Sequence, residues 1–406
     1  MLNPWDALPL PPRPSLERYR KLAKQLVKAQ KTDAIHEWAA RWIGTPAARP
    51  IERFAREKLA ESGPKLTAAQ FVMARSHGFE SWPKFQKHLY SLARKGSSVA
   101  RFEAAADAIV NGKIAILKGL LREDPELVRA RSTREHQATL LLYVAANGVE
   151  QYRQRTPKNI VRIAEILLAA GAAIDATAEL YGGGATTLGL AATSVHPERA
   201  GVQETLMQML LDHGAEIGDA VRGCLWNGRG KAAVFLADRG ARLTLESAAG
   251  VGRLDVVESY FGKDAKVPPR EMQSGFLLAC AWGRKGVVEF LLDRGADPAW
   301  HSKDGQTALH WAVIGGHLEI VKLLLRRNPP LGARNVYGGD VVGQTLWSAA
   351  HGGDAELYIA ILDALISAGA RLPAQHVPVN VKIDAWLLRH GSGSEPSWHW
   401  IGEEPL

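Results

Sequence analysis

Cysteine is almost absent, with two in 406 residues, Cys224 and Cys280. Two thiols so far apart give neither a disulfide framework nor a zinc knuckle. No apolar run reaches the roughly 20 residues that span a bilayer. The start, MLNPWDALPLPPRP, lacks a basic segment followed by an apolar one, so no signal peptide is expected and the cytoplasm is the default location. Catalytic signatures are missing as well. Gly228-Arg229-Gly230-Lys231 is too short for a phosphate loop, and Gly250-Val251-Gly252 has no third glycine three residues on. His36-Glu37 lacks the second histidine of a zinc helix, and there is no G-x-S-x-G elbow. The expectation is therefore no catalytic residue, no metal and no cofactor.

What is present is a globular composition, 46% apolar and 23% charged. The net charge of +8 is uneven. Residues 1–101 hold 19 Lys and Arg against 8 Asp and Glu, whereas the remaining 305 hold 31 against 34. A basic end can meet nucleic acid or an acidic partner. The plainer expectation is a solvated surface on a small helical domain, with protein rather than nucleic acid as the partner and no membrane. A steep loss of affinity with salt is what nucleic-acid binding by residues 15–101 would show.

The most ordered signal runs from Ser302 to Asn335. Asp304-Gly305 makes a tight turn, Thr307 to His310 opens a helix, and Gly315-Gly316 stops it. His317 to Leu325 is a second helix with apolar residues at helical spacing. Such a pair cannot bury its apolar faces alone and needs neighbours of the same shape. Thr307, Leu309, His310 and Ala312 form T-x-L-H-x-A, and Gly316 to Leu324 form G-H-L-E-I-V-x-L-L. The segment resembles an ankyrin repeat, with Ala308 where the family usually has proline. The resemblance implies that His310 holds the turn.

Upstream, Ser15 caps a first helix, Asp33 to Trp42 and Ile51 to Ser62 give two more, and Thr67 with Gln70 reads as a capping box. Ser81-Trp82-Pro83 starts the next helix. Leu66, Phe71, Val72, Phe79, Trp82, Phe85, Leu89 and Leu92 are the expected core. The "AQ…A…GF-SW" pattern over residues 15–95 is similar to the helical module that often precedes bacterial ankyrin arrays. Its expected role is to cover the open face of the first repeat.

Aligned on the glycine that ends each first helix, weaker copies start at Phe102, Thr139, Thr187, Ala220, Leu245 and Phe276. The clear repeat follows, then Thr345 to Arg371, making eight helix pairs, and Val381 to His390 reads as a closing half-repeat. Two insertions, 149–159 and 194–201, interrupt the array. The expected fold is an all-α solenoid of about eight ankyrin-like repeats. It divides into a basic N-terminal module (1–101), the array (102–372) and a C-terminal cap and tail (373–406). Trp398 and Trp400 in the tail are expected to dock.

In this architecture the ends of the first helices face a groove. There the sequence places Trp226-Asn227, Gly250-Val251 and Ala281-Trp282 in consecutive repeats. Two indoles around a glycine floor would make an apolar slot. The turn tips add Tyr181, then Trp300, His301, Lys303 and Asp304, then Arg334, Tyr337 and Asp340, with His351 at the end of the last first helix. Aromatic and charged residues at tips suit protein recognition. The expected function is binding of a protein or peptide across the groove. The alternative is an enzyme or small-molecule binder using the Trp-lined centre, with His301, Asp304, Tyr337, Asp340 and His351 as acid–base candidates. Trp347 occupies the slot of His310 in the last repeat and is expected to pack. The two cysteines are expected to be buried.

Overall fold

The computed structural model describes residues 6–44, 48–262 and 266–394. Trp398 and Trp400, expected to dock, lie outside the described residues. Among the described residues the chain is all-α apart from one short strand pair, and most of its helices follow one another as short pairs. It divides into two compact units, Met1–Gly223 and Cys224–Leu406, each described by itself.

The first unit opens with helices Leu16–Lys31, Ile35–Ile43, Arg49–Ser62, Leu66–Arg75 and Trp82–Ala93. The Ser15 hydroxyl accepts from the Arg18 amide and Ser81 from that of Lys84, as the cap signals indicate. The fourth helix differs from its reading. Lys65 is its N-cap without a side-chain bond, and the helix begins at Leu66. Thr67 is thus already helical and cannot cap, and Leu66 is exposed rather than part of the core. Phe79 and Phe85 are fully buried, and Tyr19 meets Phe85 and His77 edge-on. The proline-rich lead-in is tied down by the Leu8 amide on the Ser76 carbonyl (2.8 Å) and by His77 Nδ1 on the Leu8 carbonyl (3.0 Å).

Helix Ser98–Val110 follows and continues through residues 101 and 102. The N-terminal helices dock on the 132–137 turn. The Glu135 amide donates to the Gly78 carbonyl (2.9 Å), Arg75 pairs with Glu135, and His88 Nδ1 meets Thr133 Oγ1 (2.7 Å). Beneath this turn lies a charge network that the sequence pattern does not announce. Glu150 Oε1 stands 3.0 Å from Arg134 Nε, 3.4 Å from His136 Nε2, 3.3 Å from the Tyr143 hydroxyl and 3.4 Å from Arg153 Nη1. Arg134 and Arg153 both reach Glu103, and Arg153 also reaches Asp107. Burial alone would raise the Glu150 carboxyl; Arg134, His136 and Arg153 outweigh it and hold Glu150 well below the ordinary carboxylate range.

In the repeat that carries this network the expected first helix is a 3₁₀ segment, Leu140–Ala145. It ends at Ala146 in the left-handed region (φ 49°). Leu140 to Ala145 are all buried. The 149–159 insertion holds a short 3₁₀ turn, Gln151–Arg153, that delivers Glu150 and Arg153.

The second unit pairs first helices Leu245–Val251, Pro269–Ala281, Ala308–Ile314 and Val341–Ala350 with second helices Leu254–Ser259, Lys285–Asp293, Leu318–Leu325 and Ala355–Ser367. Ahead of them stands Gly230–Ala237, and the division between units falls within helix Ala220–Trp226. Leu245–Val251 and Pro269–Ala281 approach closely because small residues face each other. A Cβ on Gly275 would sit 3.3 Å from the Ala249 Cβ and 3.5 Å from the Leu245 carbonyl. At the tight turn Gly305 has φ 72°, and a Cβ there would stand 2.9 Å from the Arg334 carbonyl, so glycine is required twice over. His310 is buried, and its Nδ1 lies 2.9 Å from the Thr307 hydroxyl in a capping box. It does hold the turn.

Each first helix ends in carbonyls that lack an in-helix partner. A residue of the next repeat supplies the donor. Arg284 Nε donates to the Gly250 carbonyl (3.0 Å), His317 Nε2 to that of Ala281 (3.0 Å), and the Tyr358 hydroxyl to that of Val313 (3.2 Å). Three different side chains perform one task, so no shared motif marks it. In the first unit Asn159 Nδ2 does the same for the Gly112 carbonyl (3.0 Å).

The closing helix is Val381–Arg389, as read from the sequence. It is flanked by a two-residue parallel strand pair, Gln375–His376 with Gly393–Ser394, a feature the all-α reading lacks.

Candidate functional site

Trp226 ends helix Ala220–Trp226 and is 38% exposed. Its Nε1 donates to Glu246 Oε1 (2.8 Å), and its ring meets Trp311 edge-on with centroids 5.6 Å apart. Trp311 is half-buried, and its indole N–H is buried without a partner. Trp282 caps helix Pro269–Ala281 and lies against Gly230, where any Cβ would collide with its ring. The expected slot is therefore corrected. The ring that faces Trp226 is Trp311, while Trp282 covers the start of Gly230–Ala237. The Gly250 floor is filled too, since a Cβ there would stand 2.6 Å from Leu225 Cδ1. Val251 beside it is buried, and Asn227 is exposed in the turn after Trp226.

A second group of aromatics sits at a turn tip. Asn335 is buried, and its Oδ1 accepts from the amides of Tyr337 and Gly339 (3.0 Å each). This fixes the backbone beneath Tyr337, which is 76% exposed, with Val336 exposed beside it. The Val336 amide donates to the Asp304 carbonyl (2.9 Å), joining this tip to the preceding one. There His301, Lys303 and Asp304 are exposed and Trp300 is half-buried. Arg334 is also exposed.

Trp347 also departs from its expected place. It is 44% exposed and stacks on His351 with centroids 4.1 Å apart, rather than packing in the core. The reason is local. The helix starts early, at Val341, capped by Asp340 Oδ1 on the Gly343 amide (2.9 Å). Its second turn is then no longer the helix start that His310 caps in the previous repeat.

Three of the five acid–base candidates are engaged locally, while Asp304 and Tyr337 are exposed. The Asp340 carboxylate caps a helix, His351 Nδ1 lies 2.7 Å from the Trp347 carbonyl, and His301 Nδ1 lies 3.1 Å from that of Ser302. Among the described residues no group of three or more His, Cys, Asp or Glu could hold a metal. Cys224 and Cys280 are buried as expected, and burial pushes the Cys224 thiol up to about 12. No helix of the described residues is long and apolar enough to cross a membrane.

Tyr181 belongs to the first unit. It is 60% exposed with φ 52°, and its hydroxyl bonds Asn147 Oδ1 (2.7 Å). Sequence reading missed Trp311 as the partner of Trp226, although the indole lies one residue after His310. It also missed Asn335, whose place two residues before an exposed tyrosine is a detectable Asx-turn signal.

The family model described as "Ankyrin repeats (3 copies)" matches residues 245–374. Over 242 residues the chain is 27% identical to the "Ankyrin repeat and KH domain-containing protein mask-1" of Caenorhabditis elegans. That alignment covers 56% of this chain and 8% of the relative's length. Residues 245–374 carry ankyrin repeats, modules that generally serve protein–protein interaction.

Proposed function

We propose that this chain recognises a protein or peptide through its second unit, with Trp226 as an anchor on the face made by the ends of the first helices. Tyr337 on its fixed tip is the second contact. The observation that carries this reading is the state of Trp226. A large aromatic stands partly in solvent, yet a hydrogen bond to Glu246 and an edge contact with Trp311 hold it in place. Tryptophan and tyrosine dominate binding energy at interfaces. A ring already fixed in the free protein loses little freedom on binding.

The test is capture of partners by wild-type protein and by Trp226→Ala, read by mass spectrometry. A protein held by the wild type and lost from the variant supports the reading. Identical captured sets with and without the ring would remove it.

A further inference from the structure

The strongest unexplained surface is helix Leu16–Lys31, LERYRKLAKQLVKAQK. It carries Arg18, Arg20, Lys21, Lys24, Lys28 and Lys31, all exposed, against one carboxylate, Glu17. Among the described residues no ion pair engages any of the six cations. Several exposed helix faces elsewhere in the chain are built differently. Lys58 pairs with Glu61, Lys84 with Glu80, Arg162 with Glu165, Lys285 with Glu289 and Lys322 with Glu319, each three or four residues apart. On the basic helix the same spacings join like charges five times (Arg18 to Lys21, Arg20 to Lys24, Lys21 to Lys24, Lys24 to Lys28 and Lys28 to Lys31) and opposite charges only at Glu17, with Arg20 and Lys21. Such pairs oppose helix formation, and an anionic partner relieves them.

Two features narrow the partner. The apolar side of the helix (Tyr19, Ala23, Leu26, Ala29) is buried in the unit's own core, so the helix has no face to lay into a lipid interior. What it offers is charge alone, in a line. Lys21, Lys24, Lys28 and Lys31 follow one another at three, four and three residues, which places them on one face with axial steps of roughly 4.5–6 Å. The whole helix is about 24 Å long, the span of roughly seven phosphates on one strand of a duplex. The neighbouring helix Trp82–Ala93, which meets this one through Tyr19 and Phe85, exposes Lys87, with Tyr90 and Arg94 lining a shallow groove beside it.

We propose that helix Leu16–Lys31 is a sequence-independent docking surface for the phosphate backbone of double-stranded nucleic acid. Four of the six cations are lysines on flexible stems, which hold phosphates as point charges and carry no base information through those contacts. The inference rests on the first unit and is independent of the recognition role given to the second.

The experiment titrates the full chain into labelled 20-base-pair DNA and RNA duplexes of arbitrary sequence, from 50 to 200 mM salt. With six phosphate contacts the log–log slope is expected near −5, a loss of about 10³-fold across that range. The quadruple variant Lys21→Gln, Lys24→Gln, Lys28→Gln and Lys31→Gln is expected to retain a slope near −2. The matching quadruple Lys→Arg variant, which keeps the charge, is expected to bind as the wild type does. All four positions are exposed, and circular dichroism checks that both variants fold. No binding at 50 mM salt, a flat salt dependence, or an unchanged slope in the Gln variant would each overturn the proposal. So would binding to phosphatidylserine vesicles with none to either duplex.

Discussion

At His317 one imidazole closes the end of a helix from the repeat before it. The ring is partly buried, and burial lowers its pKa below the ordinary histidine value, so near neutral pH it is an uncharged donor to the Ala281 carbonyl. His317→Ala leaves that carbonyl without its donor. It is expected to cost roughly 1–3 kcal/mol, read as a lower urea midpoint with an unchanged slope. An equal midpoint would show that water replaces the imidazole without loss. Gly250 tests packing at the same scale. Alanine suits a helix better than glycine, but its methyl would collide with Leu225. Gly250→Ala is therefore expected to destabilise by about 1–3 kcal/mol. Leu225→Ala in the same chain should recover part of that loss, and a double-mutant cycle measures the coupling. Purely additive effects would mean that the leucine is not the obstacle.

Helices and turns are the scale at which the buried charges act. Glu150 gathers two guanidiniums, an imidazole and a tyrosine with no water-facing side. Removing one partner of such a set strands the others, so Glu150→Ala is expected to cost roughly 3–5 kcal/mol. Thermal unfolding checks this, and a loss below 1 kcal/mol would show the network to be slack. The docking elements also titrate. Burial pushes His77 down to about 3 and His88 to about 4, whereas both sit near 6.5 when exposed. Unfolding therefore takes up protons below pH 6.5, and stability falls as the pH drops through that value toward the folded pKa. Between pH 6.5 and 4.5 the depressed carboxylates Glu103 and Glu150 do not contribute, because they lose stability only below their unfolded value of 4.5. The first unit's urea midpoint should fall from pH 7 to pH 5, less steeply in His88→Asn, and a flat profile would contradict the burial of these rings.

What the sequence discloses follows from the same physics. The repeat at 302–335 is legible because turn glycine, capping box and helical period all point one way. The Leu140–Ala145 segment is misread because a continuous apolar run fits a buried helix and a buried 3₁₀ segment equally well. The inter-repeat caps are hidden because arginine, histidine and tyrosine share a donor but no pattern. At the candidate site Trp226 is visible from its place before a glycine. Its contact with Trp311 is not, since ring directions depend on packing that spacing does not encode.

On the scale of the molecule, charge is distributed unevenly along the chain. Residues 1–101 carry a surplus of 11 positive charges, and the rest is nearly neutral. The two proposed surfaces lie in different units and should answer to different conditions. Duplex binding should weaken steeply with salt, while recognition through Trp226 should change little, because a partly buried indole contributes contact area rather than charge. The most direct measurement compares quantitative partner capture by wild-type protein, by Trp226→Ala and by Ile116→Ala, which removes an exposed apolar side chain from the first unit. The expected result is a partner retained by the wild type and the Ile116 variant and reduced at least tenfold by loss of the indole. Equal recovery by all three proteins would contradict recognition through Trp226.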